Sequence, residues 1–305
     1  MTKYRSFVLP LAIVLGLLFH HLWAAVNFLV PYLIFMILLL NFVAVDVKKM
    51  RFGWLDFWLM LFQIVVSLGC YLLLKCVHVN DIIAEGVLVG VLCPVASSVV
   101  VIACMLGANR ETVTTYTIWG NLMVAVVAPI YFSFIGMHQE MPFFDSFFLI
   151  LKKISPVIVF PFFLALCLQF FLPKVNDFIS RYKGLSFYFW ACALLLVLGR
   201  TFDFVFLHGK GNEKSIVVLG VVSIVFCAIQ FAFGKWLGSK YGDSMAGGQL
   251  LGQKNTAFGI WMANMYLNPL ASIFMAFYSI WQNVFNSWQL WQKDHTPTET
   301  KTKAD

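Results

Sequence analysis

Apolar runs separated by short polar segments occupy almost the whole chain. Each run is about 20 residues long, the length that a helix needs to cross the hydrocarbon core of a bilayer. The pattern predicts ten membrane-crossing helices, at 6–22, 25–45, 54–74, 82–106, 113–136, 153–172, 185–206, 215–236, 244–263 and 267–290. The polar segment 293–305 is expected to be a disordered cytoplasmic tail. Residues 1–292 are expected to form a single transmembrane domain.

The composition supports an all-α polytopic membrane protein. Hydrophobic residues make up 61% of the chain and charged residues 11%, whereas a soluble domain carries about 25% charged residues. The net charge of +7 does not indicate a nucleic-acid partner, because the basic residues cluster in short loops between apolar runs. The composition therefore predicts that the chain lies in a lipid bilayer.

The distribution of Lys and Arg predicts the orientation of the chain. If the N-terminus lies inside, the inner segments hold 14 of the 21 basic residues and the outer segments hold six, with Lys254 left over. The positive-inside rule then places both termini in the cytoplasm. This sorting fits a bacterial inner membrane, although eukaryotic membranes follow the same rule.

The two halves of the chain, about 1–140 and 141–292, carry similar segments in matching places. The run "IFMILLLNFVAVD" (34–46) resembles "ACALLLVLGRTFD" (191–203), and 86–109 resembles 246–268 in its order of small, polar and apolar residues. Five spans in each half would give the halves opposite orientations. Inverted repeats with interrupted spans at matching positions are typical of secondary transporters, whose binding site lies near the bilayer midplane.

The fourth and ninth predicted spans each contain a polar interruption. In "LCPVASSVVV", Pro94 removes a backbone donor and is followed by Ser97 and Ser98. In "GGQLLGQKNTAFGIWMAN" (247–264), Gly252 precedes four consecutive polar residues, Gln253, Lys254, Asn255 and Thr256. A lysine at this depth is unfavourable by roughly 2.5–3.5 kcal/mol, so we expect it to have a function. Crossing of the two spans would bring these groups together, and helix N-termini exposed at the breaks favour anions.

With these motifs in their order, the chain resembles the bile acid:sodium symporter family. Cys93-Pro94 with Ser97-Ser98 is similar to the family's fourth span, and the segment 252–256 is similar to the Gly-x-Gln-Asn-Ser pattern of its ninth. The run "TTYTIWGNLMVAVVAP" looks like the fifth span, and "FMILLLNFVAVDVKKMRF" like the second. The resemblance implies ten spans in two inverted five-helix repeats, with helices 4 and 9 broken and crossing. It implies substrate or ion binding by Ser97, Ser98, Thr114, Thr115, Thr117, Asn121, Gln253, Lys254, Asn255 and Thr256.

Two departures from the family pattern concern the sodium site. Sodium-coupled members carry a glutamate four residues before the glutamine of the ninth span, and both residues serve sodium; here Leu250 and Lys254 stand in these places. Ordinary sodium coupling is therefore not expected, and we hypothesise that the Lys254 ammonium replaces the cation. A permanently charged lysine would give an ion-independent uniporter or exchanger. A lysine that gains and loses a proton would give proton coupling.

These features predict a secondary transporter that moves a small organic anion, either bile-acid-like or a keto or carboxylic acid, by alternating access. The chain lacks a GxxxxGK[ST] nucleotide-binding loop, an HExxH motif and a buried pair of carboxylates, so neither an ATP motor nor an enzyme is predicted. No metal site or other cofactor is predicted, because the histidines lie near the ends of runs or in the tail. A sodium-coupled symporter with a rebuilt ion site and a non-transporting ligand-binding receptor remain the alternatives. The oligomeric state is not predicted.

Overall fold

The computed structural model of the protein describes residues 2–45, 50–96, 98–135 and 141–295. These ranges contain fourteen α-helices and no β-strand, which confirms the predicted all-α class. The first half holds α1 (Thr2–Leu18), α2 (His20–Ala25), α3 (Val30–Phe42), α4 (Trp54–Cys76), α5 (Asp81–Leu92), α6 (Val99–Leu106) and α7 (Arg110–Ile135). The second half holds α8 (Phe143–Phe171), α9 (Pro173–Ser180), α10 (Leu185–His208), α11 (Glu213–Lys240), α12 (Ser244–Gly252), α13 (Thr256–Tyr266) and α14 (Ser272–His295).

The surface and the interior have the polarity expected of a protein in lipid. Five of the described helices, α4, α7, α8, α10 and α11, are long and apolar enough to cross a membrane. Large apolar side chains lie on the outside; Phe144 is 69% exposed and Phe171 is 79% exposed. By contrast, α14 buries the amides of Gln282, Asn286 and Gln289. Polar groups that face inward and apolar groups that face outward support an integral membrane protein.

Most of the predicted helices have counterparts, and two of them are broken. The segment 82–106 forms α5 and α6, and the segment 244–263 forms α12 and α13. Helix α8 begins at Phe143, ten residues before the predicted start at 153, because the apolar run after Pro142 continues the helix. Helix α14 extends to His295, so the first three residues of the predicted tail are helical, and 296–305 lie outside the described residues.

The helices pack into two groups. In the first, which we call the peripheral group, α10 packs against α1, α2 and α3, α3 packs against α8, and α9 packs against α8. In the second, the central group, α11 packs against α5, α12 and α14, and α4 packs against α5 and α7. Helix α6 belongs to the central group through α7 and α14, and α13 belongs to it through α14. The two groups meet where α7 packs against α8 and α10 packs against α13. Each group combines helices from both halves of the chain.

Helices α11 and α12 approach each other so closely that their backbones touch. A Cβ atom added to Gly234 would lie 2.2 Å from the carbonyl oxygen of Gly247, so only glycine fits at this contact. Small residues are the usual means by which helices in a bilayer pack tightly. The contact holds α12, and with it the break that follows, against the centre of the bundle.

Candidate functional site

The two broken helices meet at their breaks. Between α5 and α6, and between α12 and α13, the backbone is extended, and Val95 and Lys254 form an antiparallel β-bridge. The amide of Ala96 donates to the carbonyl of Gln253 at 3.0 Å, and the amide of Asn255 donates to the carbonyl of Pro94 at 2.8 Å. Pro94 lies in the first break, and Gly252 is the last residue of α12. The interrupted segments therefore meet at the residues that the sequence singled out, and we call this meeting point the crossing.

The end of α5 exposes backbone carbonyls that side chains of other helices satisfy. A helix leaves its last four carbonyls without intrahelical partners, and in hydrocarbon such groups must be paired. Gln63 on α4 donates to the carbonyls of Leu92 and Cys93, at 2.6 and 2.7 Å. Gln230 on α11 contacts the carbonyl of Gly90 at 3.4 Å. The carbonyl of Val89 accepts from the amide of Cys93 at 2.8 Å, so the remaining carbonyl of α5 belongs to Val91.

Lys254 supplies the partner of that carbonyl. Its side chain is buried, with 1% of the residue exposed, and its Nζ donates to Val91 O at 2.9 Å. The ion pairs found among the described residues do not include Lys254. The ammonium instead lies at the C-terminal end of α5, where the helix dipole carries partial negative charge. The partial negative charge at the end of α5 therefore stabilises the buried ammonium, as a carboxylate would in an ion pair.

The backbone around Lys254 is held by α14. The Lys254 amide donates to Gln282 Oε1 at 2.8 Å, and Gln282 Nε2 donates back to the Lys254 carbonyl at 3.2 Å. Tyr278, one helical turn earlier on α14, donates its hydroxyl to the carbonyl of Gly252 at 2.9 Å. Hydrogen bonds from α14 thus hold the extended segment at Lys254 itself and at Gly252, two residues before it.

The other residues predicted at the crossing have distinct roles. Gln253 Nε2 donates to Ser98 Oγ at 2.9 Å and joins the two breaks. Asn255 Oδ1 accepts from the amide of Phe258 at 3.3 Å and caps α13. Gln253 Oε1 and Thr256 Oγ1 are buried and have no hydrogen-bond partner within the described ranges, so they could accept a ligand or an ion. Ser97 lies outside the described residues.

The residues predicted on α7 divide between the interior and a cleft. Thr115 and Asn121 are buried, and Asn121 Nδ2 donates to the carbonyl of Thr117 at 2.6 Å. Thr117 Oγ1 bonds back to the carbonyl of Val113 at 2.7 Å. Thr114 and Thr117 line the cleft, whereas Thr115 and Asn121 do not. The structure therefore does not bring all four residues to one surface.

This cleft lies between the peripheral and the central group and has a volume of about 420 Å³. That volume is within the range of about 300–1,000 Å³ found for small-molecule sites. Arg110 and Lys183 give it two basic side chains, against one acidic side chain, Glu111. Its walls are Asn41, Phe42, Ala44, Val45, Met50, Val100, Val101, Thr114, Thr117 and Ile118. The cleft thus combines apolar walls, hydroxyl groups and net positive charge.

Sequence reasoning missed the glutamines and tyrosines that support the crossing. Gln63 Oε1 accepts from the Tyr116 hydroxyl at 2.8 Å, and Gln230 Nε2 donates to the Tyr278 hydroxyl at 3.1 Å. Each glutamine lies inside an apolar run, as in "MLFQIVV", "CAIQFAF" and "SIWQNVF". An amide at that depth needs a partner, and this signal could have identified all three residues.

Leu250, at the position where the resembled family carries its glutamate, lies in apolar surroundings. It is fully buried in a cluster with Leu55, Leu59 and Val95. A leucine side chain at this position offers no oxygen to a hard cation, which prefers oxygen ligands.

Comparison of the chain with protein-family models gives no match, and neither does a search of curated proteins.

Proposed function

We propose that the chain is a secondary transporter that moves a small organic anion across the membrane by alternating access, with the Lys254 ammonium in place of a coupling cation. One observation carries the proposal: a buried lysine, with no carboxylate partner in the described part of the chain, donates to the last turn of a broken helix at the crossing. In transporters with inverted repeats, the C-terminal ends of half-helices coordinate the coupling ions. A tethered ammonium occupies the equivalent place here.

The architecture that we propose has ten spans in two inverted five-helix repeats, with α5/α6 as the fourth span and α12/α13 as the ninth. Two observations support it. The bridge between Val95 and Lys254 is antiparallel, as expected where matching segments of oppositely oriented repeats meet. In addition, the peripheral group takes α1–α3 from one half and α8–α10 from the other, and the central group takes the remaining helices. We place both termini in the cytoplasm, from the distribution of basic residues.

The cleft supports an anionic substrate. Arg110 and Lys183 lie at segment ends that the charge distribution assigns to the cytoplasmic side, and basic side chains around a cleft raise the local concentration of anions. The cleft lies between two helix groups, and rocking of one group against another is the usual basis of alternating access. We therefore assign the cleft to the inward-facing path of the substrate, in a bacterial inner membrane.

The sodium-coupled alternative would need a different set of oxygen ligands. The unpartnered acceptors Gln253 Oε1 and Thr256 Oγ1 lie beside the crossing and could contribute to such a set. The apolar surroundings of Leu250 and the ammonium of Lys254 weigh against it, because a second cation beside the lysine would be repelled.

Uptake into liposomes that contain only this protein tests the proposal. We expect saturable uptake or exchange of at least one labelled carboxylate from a panel of bile-acid-like and keto acids, without a requirement for sodium. The variant Lys254→Met should lose it, whereas Lys235→Met, which removes a half-buried lysine on α11, should keep it. Binding of an anion without any uptake or exchange would instead indicate a receptor.

A further inference from the structure

Two adjacent histidines and one aspartate lie close together just beyond the C-terminal end of α1. His20, the first residue of α2, has its Nδ1 atom 2.9 Å from Oδ1 of Asp203 on α10. The Nδ1 atom of His21 lies 2.5 Å from the same oxygen. One ligand atom from each of the three side chains lies within 4.8 Å of the others. Three potential metal ligands thus point at one small volume, away from the helix crossing.

Packing against neighbouring residues fixes the two helices that carry these groups. Trp23 lies against Gly199, where an added Cβ atom would come within 2.4 Å of the tryptophan side chain. Trp23 Nε1 also donates to the carbonyl of Leu15 at 2.9 Å and holds α2 against α1. The ring of His20 packs on Phe206, with 4.7 Å between centroids. The ligand atoms are therefore held together by the fold and not only by their mutual hydrogen bonds.

We propose that His20, His21 and Asp203 form a binding site for a divalent transition-metal ion of the zinc class. Two imidazole nitrogens and one carboxylate oxygen are ligands that Zn²⁺ accepts, at bond lengths of about 2.0–2.2 Å. Such bonds in a tetrahedron separate neighbouring ligand atoms by roughly 3.3 Å. The nitrogens lie 2.5 and 2.9 Å from the carboxylate oxygen, so a small outward movement of the side chains admits an ion.

The exposure of the three side chains leaves room for access and for a fourth ligand. The side chain of His21 is 75% exposed, whereas those of His20 and Asp203 are 17% and 19% exposed. An ion can therefore enter from the side of His21, and a water molecule can complete the tetrahedron there. Binding would replace the two contacts between the Nδ1 atoms and Asp203 with metal bonds, and each neutral imidazole would then carry its proton on Nε2. It would also join α2 to α10 across 183 residues of sequence.

Metal titration of the full-length chain tests the site. The protein is purified in detergent, its affinity tag is removed because histidine tags bind the same ions, and bound metal is stripped with a chelator. Co²⁺ is then titrated and followed by its visible absorption, and Zn²⁺ is titrated calorimetrically. We expect one ion per chain, a Co²⁺ spectrum typical of four-coordinate binding, and displacement of Co²⁺ by Zn²⁺.

Three variants decide the outcome. His21→Ala and Asp203→Asn should each weaken binding by more than the roughly 10–100-fold loss that outer-shell changes cause. His208→Ala, at the end of α10 where its ring stacks on Phe204, should bind as the unsubstituted protein does. Because His21 is largely exposed, its substitution leaves the fold intact, and equal unfolding temperatures without metal check this. Absence of binding by the unsubstituted chain, or equal affinity in His21→Ala, would overturn the proposal.

Discussion

The side-chain nitrogen of Lys254 lies 2.9 Å from the carbonyl oxygen of Val91, although 163 residues separate them in sequence. Each group needs the other. Without the ammonium, a buried carbonyl at the end of α5 would lack a partner, and without the helix end the charge would be buried with little compensation. Since Gln63 and Gln230 already serve the neighbouring carbonyls, the carbonyl of Val91 needs a donor of its own, and Lys254 supplies it.

Gln63→Leu should destabilise the protein strongly. The substitution removes the donor to the carbonyls of Leu92 and Cys93 and the acceptor of the Tyr116 hydroxyl, all of which are buried. Leaving these groups unpaired is expected to cost about 2–4 kcal/mol. Chemical denaturation in detergent would measure the loss.

Tyr116→Phe serves as the matched control for Gln63→Leu. It leaves the carbonyls of Leu92 and Cys93 paired and only Gln63 Oε1 without its donor, so it should cost about 1–3 kcal/mol, less than the loss of three partners in Gln63→Leu. If Gln63→Leu were no more destabilising than Tyr116→Phe, the assignment of Gln63 as the partner of the broken helix would be wrong.

Gly90→Ala should disturb the packing of α5 against α14. An added Cβ atom would lie 1.9 Å from a ring carbon of Phe274, and overpacking of this kind typically costs about 1–3 kcal/mol. Gly69→Ala is the control, because nothing lies within 4 Å of its added Cβ. It should leave stability unchanged or raise it by up to about 1 kcal/mol, since alanine favours the helix. Equal unfolding temperatures for the two variants would contradict the close contact at Gly90.

Arg110→Gln and Lys183→Gln should weaken substrate affinity more than they reduce the maximal rate. Both side chains lie at the cleft and are exposed, so each should contribute about 0.2–1 kcal/mol, which corresponds to a KM raised by up to about fivefold. The effect should shrink as ionic strength rises. Lys210→Gln, in the loop before α11, is the control and should leave KM unchanged. Transport rates at several anion concentrations measure this, and an unchanged KM in both cleft variants would remove the cleft from the substrate path.

The sequence supports prediction of the helices and of the place where they break. Long apolar runs mark α4, α7 and α11 because a bilayer demands a minimum length of apolar helix. The breaks follow from Pro94 and from the consecutive polar residues after Gly252, since each interrupts a run that would otherwise continue. The residues within each segment therefore suffice to predict where the helices lie and where two of them break.

The neighbours of each helix could not be predicted in the same way. In a soluble protein the apolar face of a helix marks its buried side, but lipid is as apolar as a protein core, so this signal is missing here. The resemblance groups Thr115 and Asn121 with Thr114, yet only Thr114 of the three lines the cleft. For the same reason the partners of Gln63 and the convergence of His20 with Asp203 appear only once the helices are packed.

Ligand-induced thermal stabilisation tests the role of Lys254 most directly. Purified protein and its Lys254→Met variant are heated with a panel of organic anions, with sodium or with a potassium salt at equal ionic strength. A ligand that binds only the folded state raises the unfolding temperature. We predict stabilisation by at least one anion that is equal in both salts and is lost in Lys254→Met. Stabilisation by sodium in the absence of any organic anion, or an anion effect that Lys254→Met retains in full, would contradict the assignment of this lysine as the built-in cation.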